Sequence, residues 1–204
     1  MPEVFPVGEG RIFAVVLAAG KSERFGNSNK LLTRLPEGRT LLERVFDSVS
    51  GEVAGVIIVT NSAIRERVHE VLSGRDTIPE FVVNDEGEMT SSFKKGVMRA
   101  KEFGAGAVIL LLGDQPFISP ETVKAVIAAW RKSGAAIIHP TFSGRPVHPV
   151  IFSKELFGQI LSITEERTLK DFVRAHAGEA FFFSLDGITS SGREFADIDV
   201  PSDL

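Results

Sequence analysis

"VVLAAGKSERFGNSNK", residues 15–30, joins an apolar run to small residues and then to three cations, Lys21, Arg24 and Lys30. Two familiar phosphate grips fail here on spacing. The Gly-x-x-x-x-Gly-Lys-Ser loop needs a glycine five positions before Gly20, where this chain has Val15. The Gly-x-Gly-x-x-Gly dinucleotide turn needs glycines at the positions of Ser22 and Phe25. What remains is a strand that ends in Leu17, Ala18 and Ala19, with Gly20 for a tight turn, followed by the cations.

Further along, short apolar runs recur: 55–60, 80–84, 107–113 and 135–140. Together with 12–18 they are β-branched or Leu-rich and do not alternate, the pattern of strands buried on both faces of a parallel sheet. Helical patterns separate them. Leu42, Val45, Phe46 and Val49 form one stripe behind a Thr40/Glu43 capping box, and Ile64, Val68, Val71 and Leu72 form a second. Phe93, Val97 and Ala100 run up to Gly104, and the next helix opens with Ser119-Pro120 and stops at Gly134. The reading is an α/β fold, doubly wound, with a mostly parallel sheet and helices on both faces. After residue 140 the rhythm changes: "IIHPTFSGRPVHPVIF" reads as two strands turning at Ser143-Gly144, followed by helices near 153–162 and 167–177. "AFFFSL" and "FADIDVPSDL" then offer one or two more short strands. One domain is expected over 1–204, with a nucleotide-binding core at 1–140 and a substrate-side elaboration at 141–204.

Bulk composition excludes several classes. Apolar residues make up 43% and charged residues 25% of 204 residues, ordinary globular values. A net charge of −4 leaves no electrostatic footprint for a nucleic-acid backbone. The absence of cysteine removes disulfides, thiolate zinc sites and a cysteine nucleophile, so any metal must be held by oxygen or imidazole. With no signal pattern at the start and no apolar run approaching ~20 residues, the expected location is the cytoplasm, without membrane contact.

Three stretches carry candidate chemistry. The small residues and cations of 17–30 suit a triphosphate cradle at the carboxyl end of a first strand, and they would equally suit a solvated surface loop. In "LLLGDQPFISPE", Asp114 follows a central strand, where it would hold a hard cation such as Mg²⁺ or simply shape a turn. In "FADIDVPSDL", Asp197 and Asp199 flank Ile198 on an extended segment, so both carboxylates face one side. They repel unless a cation lies between them, the alternative being a solvent-facing edge.

Taken in order and spacing, "LAAGKSERFGNSNKLL", "MTSSFKKGV", "LLGDQPFISPETV", "RPVHPVIFSKELF" and "DIDVPSDL" resemble the molybdenum cofactor cytidylyltransferase branch of the nucleotidyltransferase superfamily, relatives of the molybdopterin guanylyltransferases. The resemblance spans 12–204 and implies a nucleotide-diphospho-sugar transferase type of sheet. It also implies transfer of CMP from CTP to molybdopterin or its metal-loaded form, with release of pyrophosphate and Mg²⁺ as cofactor. The partners implied are the nucleotide, a phosphorylated small-molecule acceptor, and a molybdoenzyme or its chaperone.

Carried over residue by residue, the resemblance assigns the nucleotide to Leu17, Ala18, Ala19 and Gly20, with Ser91 and Ser92 near base and ribose. Arg24 and Lys30 become the phosphate cations, and Lys21 falls at a variable position. Asp114 becomes a metal ligand, with Asp199 or Asp197 as the second. His148 and Arg167 fall on the acceptor side. The guanylyl-transferring relatives carry Leu-Ala-Gly-Gly where this chain has Leu17-Ala18-Ala19-Gly20, which favours CTP. Val147 stands where the branch has glycine before His-Pro, and "ITEERTLKDF" replaces a glycine-rich acceptor stretch. Two other readings therefore stay open: a transferase for another phosphorylated small molecule (a sugar phosphate, polyol phosphate or phosphocholine), and a non-catalytic nucleotide- or cofactor-binding protein.

Overall fold

A computed structural model of the chain describes residues 10–20, 29–189, 191–200 and 203. Arg24, with Lys21 and Ser22, lies outside the described residues. The strands are β1 Ile12–Ala18, β2 Gly55–Thr60, β3 Glu80–Val83, β4 Ala107–Leu112, β5 Ile137–Phe142, β6 Arg145–Pro146, β7 Val150–Ser153 and β8 Ala180–Ser184. The helices are α1 Leu41–Val49, α2 Arg65–Leu72, α3 Met89–Glu102, α4 Pro120–Ser133, α5 Phe157–Leu161 and α6 Leu169–Ala175. In the single sheet the order is β3-β2-β1-β4-β7-β5, with β6 and β8 both on β5.

Alternation along each strand builds two cores. Ala14, Val16, Ile58, Ile109 and Leu111 point to the face covered by α1, α2 and α4, where Phe46, Val68 and Trp130 pack against them. Their chain neighbours Phe13, Val15, Ile57, Val59, Val108 and Leu110 point to the opposite face, under α3, α5 and α6, against Phe93, Ile160 and Phe172. Burial on both sides explains why these strands read as unbroken apolar runs. The expected caps are in place: Thr40 and Glu43 exchange hydrogen bonds at the start of α1 (3.2 and 2.7 Å), and Ser119 accepts from the Thr122 amide ahead of α4 (3.2 Å).

The region after residue 140 differs from the two-strand reading. Ser143 and Gly144 do form the turn, both with positive φ (48° and 72°), as a two-residue hairpin requires. The strand that follows, β6, is only two residues long. The chain then makes a separate strand, β7, which runs back between β4 and β5 and pairs antiparallel with both. β5 is therefore not a neighbour of β4, although both run the same way as β1. Inserting Val150, Ile151 and Phe152 there covers the apolar edge of β4, which a parallel neighbour would otherwise have to cover. Near the carboxyl end, β8 adds parallel to β5, whereas residues 196–199, which follow a short turn ending at Phe195, join no ladder.

Candidate active site

Leu17, Ala19, Gly20, Lys30, Asp114 and Asp199 come together at the carboxyl ends of β1 and β4. β4 stops at Leu112, and the Gly113 amide donates to the Leu17 carbonyl of β1 at 2.9 Å. A Cβ on Gly113 would sit 2.8 Å from that same carbonyl, so the position admits glycine and little else. The next residue, Asp114, projects over the ends of the two strands. Lys30 reaches it from a short turn at 30–32, where the Asn29 side chain accepts from the Leu31 amide (3.0 Å) and Leu31 is buried.

The Lys30 ammonium lies 2.7 Å from Asp114 Oδ2 and 3.1 Å from Asp199 Oδ1. Burial alone would lower the Lys30 pKa, but the hydrogen bonds and charges of the two carboxylates outweigh it and hold it above the ordinary lysine value. Asp197 is held from the other side: Gln115 Nε2 donates to its Oδ1 at 2.8 Å. Desolvation and the nearby Asp114 and Asp199 charges raise the Asp197 pKa against that hydrogen bond. Ile198 is buried between the two acids, packed with Leu35 and Leu41, and its amide donates to the Asp114 carbonyl at 2.9 Å. Both carboxylates thus face the Asp114 side, as alternation on an extended segment demands.

Beside this cluster lies a cleft of about 180 Å³ lined by Leu17, Ala19, Gly20, Lys30, Ser92 and Asp114, among others. Ala18 is not on its lining; it is buried and faces the core under α1. The start of α3 divides this cleft from a groove of about 570 Å³ that Ser91 and Arg167 line with Lys94 and Lys95. Ser91 and Ser92 are thereby split: Ser92 lines the cleft beside Lys30, and Ser91 bonds Glu86 on the groove side. His148 lies on neither lining. Its ring is enclosed near β4, with Nδ1 sealed from solvent and without a hydrogen-bond partner, and burial with the nearby His139 lowers its pKa to about 4. It is neutral at physiological pH.

Three polar residues escaped the sequence reading. Asn61 holds the cradle backbone, its Nδ2 donating to the Ala19 carbonyl at 3.1 Å. Asn84, fully buried, donates to Ser92 Oγ (2.8 Å) and accepts from Lys95 (2.8 Å). Gln115 ties Asp197 to the Asp114 loop. Asn61 and Asn84 each follow directly on a parallel strand, β2 and β3, which is the one signal that would have flagged them.

Charged oxygens facing one ammonium are the donor set of a hard divalent cation. Among the described residues no group of three acidic or imidazole side chains is close enough to hold an ion unaided. Asp114 and Asp199 could hold a divalent ion only with substrate phosphates and water completing its shell.

A mostly parallel sheet whose carboxyl edge carries a cleft with Lys30 and neighbouring carboxylates fits a nucleotidyltransferase site. The chain belongs to the MobA-like NTP transferase domain family, whose model matches residues 14–180. It is 28% identical over 207 residues to a probable molybdenum cofactor guanylyltransferase from Natranaerobius thermophilus, covering 95% of this chain and 93% of that protein. Among solved structures, Rv0371c from Mycobacterium tuberculosis H37Rv superposes with a TM-score of 0.79 at 24% identity, over 95% of both chains. The manganese complex of the same mycobacterial protein gives 0.70 at 22% identity, over 85% of this chain and 88% of that one. No helix among the described residues is long and apolar enough to cross a membrane.

Proposed function

We propose that this nucleotidyltransferase moves CMP from CTP to the terminal phosphate of a molybdopterin-type acceptor, with Mg²⁺ as cofactor. The observation that carries the reading is Lys30 held between Asp114 and Asp199 at the mouth of the Leu17–Gly20 cleft. The attacking group is a phosphate oxygen that is already ionised, so no general base is needed. A new P–O bond forms at the α-phosphorus as the α–β bridge breaks and pyrophosphate leaves. The protein's task is to position the two phosphates and offset their charge. Lys30 supplies positive charge at the α-phosphate, the backbone of Ala18 to Gly20 seats the nucleotide, and Arg24 adds a second cation. Asp114 and Asp199, with Asp197 beside them, would hold the divalent ion, which supplies charge neutralisation on the triphosphate. The mycobacterial neighbour of this fold was solved in complex with manganese, which supports use of a divalent ion. His148 and Arg167 are assigned to the acceptor side, and the partner to a molybdoenzyme or its chaperone.

Ala19 supports CTP: it lines the cleft, at the position where the guanylyl-transferring relatives carry glycine. The guanylyltransferase relative supports GTP instead, and one methyl is worth only ~1 kcal/mol, about fivefold. Pyrophosphate release with each of the four nucleoside triphosphates and molybdopterin decides between them. CTP should lead in the native protein, and Ala19→Gly should raise the GTP/CTP ratio about fivefold. A native preference for GTP refutes the base assignment. Nucleotide binding without turnover on any acceptor refutes the enzyme reading in favour of a carrier.

A further inference from the structure

Among the described residues, the segment that delivers Asp197 and Asp199 joins no ladder, and side-chain anchors add to the Ile198 and Gln115 contacts that fix it. Three residues before Asp197, Glu194 is buried, at 7% exposure. Its Oε1 accepts from the Ser119 amide at 2.8 Å and from the Ser119 hydroxyl at 2.7 Å, and the side chains of Thr122 and Thr189 also bond the carboxylate. Ser119 caps α4, a helix of 14 residues that begins six residues after Asp114. Glu194 therefore ties the tail to the same loop that carries Asp114. An anion at that helix start is also favoured by the unpaired amides there. The neighbours reinforce the tie: the Arg193 guanidinium stacks 4.6 Å over Phe117, and Phe195 packs on Phe142 at 5.2 Å.

We propose that Glu194 is a positioning residue of the transferase, setting the tail so that Asp197 and Asp199 present their carboxylates beside Asp114. The inference rests on the reading of Asp114 and Asp199 as metal ligands. The Glu194 carboxylate accepts from the Ser119 amide and hydroxyl and bonds Thr122 and Thr189, and Glu194→Gln removes the negative charge at the start of α4 together with one acceptor oxygen. Glu194 precedes Asp197 by only three residues, so losing its anchor leaves the Gln115 and Ile198 contacts alone to hold the acids, and small displacements there spoil coordination.

The test is Mn²⁺ binding followed by paramagnetic resonance in the presence of CTP, alongside CTP binding in chelator, for native protein, Asp114→Asn, Glu194→Gln and Glu194→Asp. The expected result is that Glu194→Gln weakens Mn²⁺ binding at least tenfold while chelator-state CTP affinity stays within twofold. Glu194→Asp, which keeps the charge and the acceptors, should fall between it and the native protein, and it carries the test if Glu194→Gln does not fold. Native-like Mn²⁺ affinity in Glu194→Gln overturns the inference, as does an equal loss of Mn²⁺ and CTP binding, which marks a role in general folding. Native-like Mn²⁺ binding in Asp114→Asn is a separate result that overturns the metal-site reading itself.

Discussion

Replacing Lys30 with methionine keeps most of the side chain's apolar stem and removes one charge from between two carboxylates. The Lys30 side chain is 15% exposed and Asp114 25%, so their 2.7 Å contact is a partly buried, charge-assisted hydrogen bond worth ~2 kcal/mol. The Asp199 leg is weaker, ~0.5 kcal/mol, because Asp199 is 52% exposed and solvent screens it. In chelator the variant should therefore lose about 2 kcal/mol, which for a chain of this size lowers Tm by roughly 4–8 °C. Because the native Lys30 pKa is raised, this contribution is intact below the ordinary lysine pKa and vanishes only as pH climbs past it. Saturating Mn²⁺ should then stabilise the variant more than the native protein, since no ammonium has to be displaced from between the acids. At a hundredfold excess over Kd the linkage is ~2.7 kcal/mol. Turnover should drop by at least ~100-fold, the usual scale for losing a charge aimed at the reacting phosphate. Differential scanning fluorimetry with a Mn²⁺ titration reads both stability effects. Equal Mn²⁺ shifts in the two proteins, or an unchanged Tm in chelator, would refute the reasoning.

Two further outcomes follow from burial. At Gly96 in α3 an added Cβ would lie 2.3 Å from Val15 Cγ1 and 3.2 Å from Val59 Cγ2, so Gly96→Ala should destabilise by ~1–3 kcal/mol in urea despite the ~1 kcal/mol it gains in helix propensity; a higher urea midpoint would contradict the close approach of α3 to β1. His148 has a folded pKa depressed to about 4, so its contribution is present above pH ~6.5 and is lost as pH falls towards 4, ~3 kcal/mol in all. Between pH 7 and 5.5 the native protein should lose ~1 kcal/mol to His148, with His139 adding to the same slope because burial lowers its pKa too, and His148→Leu should flatten that slope. An unchanged slope would mean that His148 takes up its proton in the folded state as easily as in the unfolded one.

The sequence was most informative where one physical rule dominated. Strands β1, β2 and β4 are legible because burial on both faces makes them almost wholly apolar, and α1 and α4 because Thr40/Glu43 and Ser119-Pro120 mark their starts. Asp197 and Asp199 are legible as a pair for the same kind of reason: alternation on an extended segment has only two faces. β7 is not, because Val150, Ile151 and Phe152 would be equally buried in a hairpin with β5 or between β4 and β5, and periodicity carries no strand order. Gln115 and Glu194 were hidden because their partners lie 82 and 75 residues away, a distance at which a polar residue beside a conspicuous acid reads as ordinary loop chemistry. Asn84 looked like the end of a strand, and only the packing of α3 against β3 reveals it as the node joining Ser92 to Lys95.

The strand inserted between β4 and β5 also shapes the route by which the sheet is built. β1, β2 and β4 can zip together through helical crossovers from neighbouring parts of the chain, but the outer edge of β4 stays bare until residues 150–153 return to it. Until that return, Val108 and Leu110 border a row of unpaired amides and carbonyls, the kind of surface on which growing chains adhere to one another. β7 therefore acts as a late closing piece, and chains halted before it should be captured by holding chaperones more readily than chains halted after it.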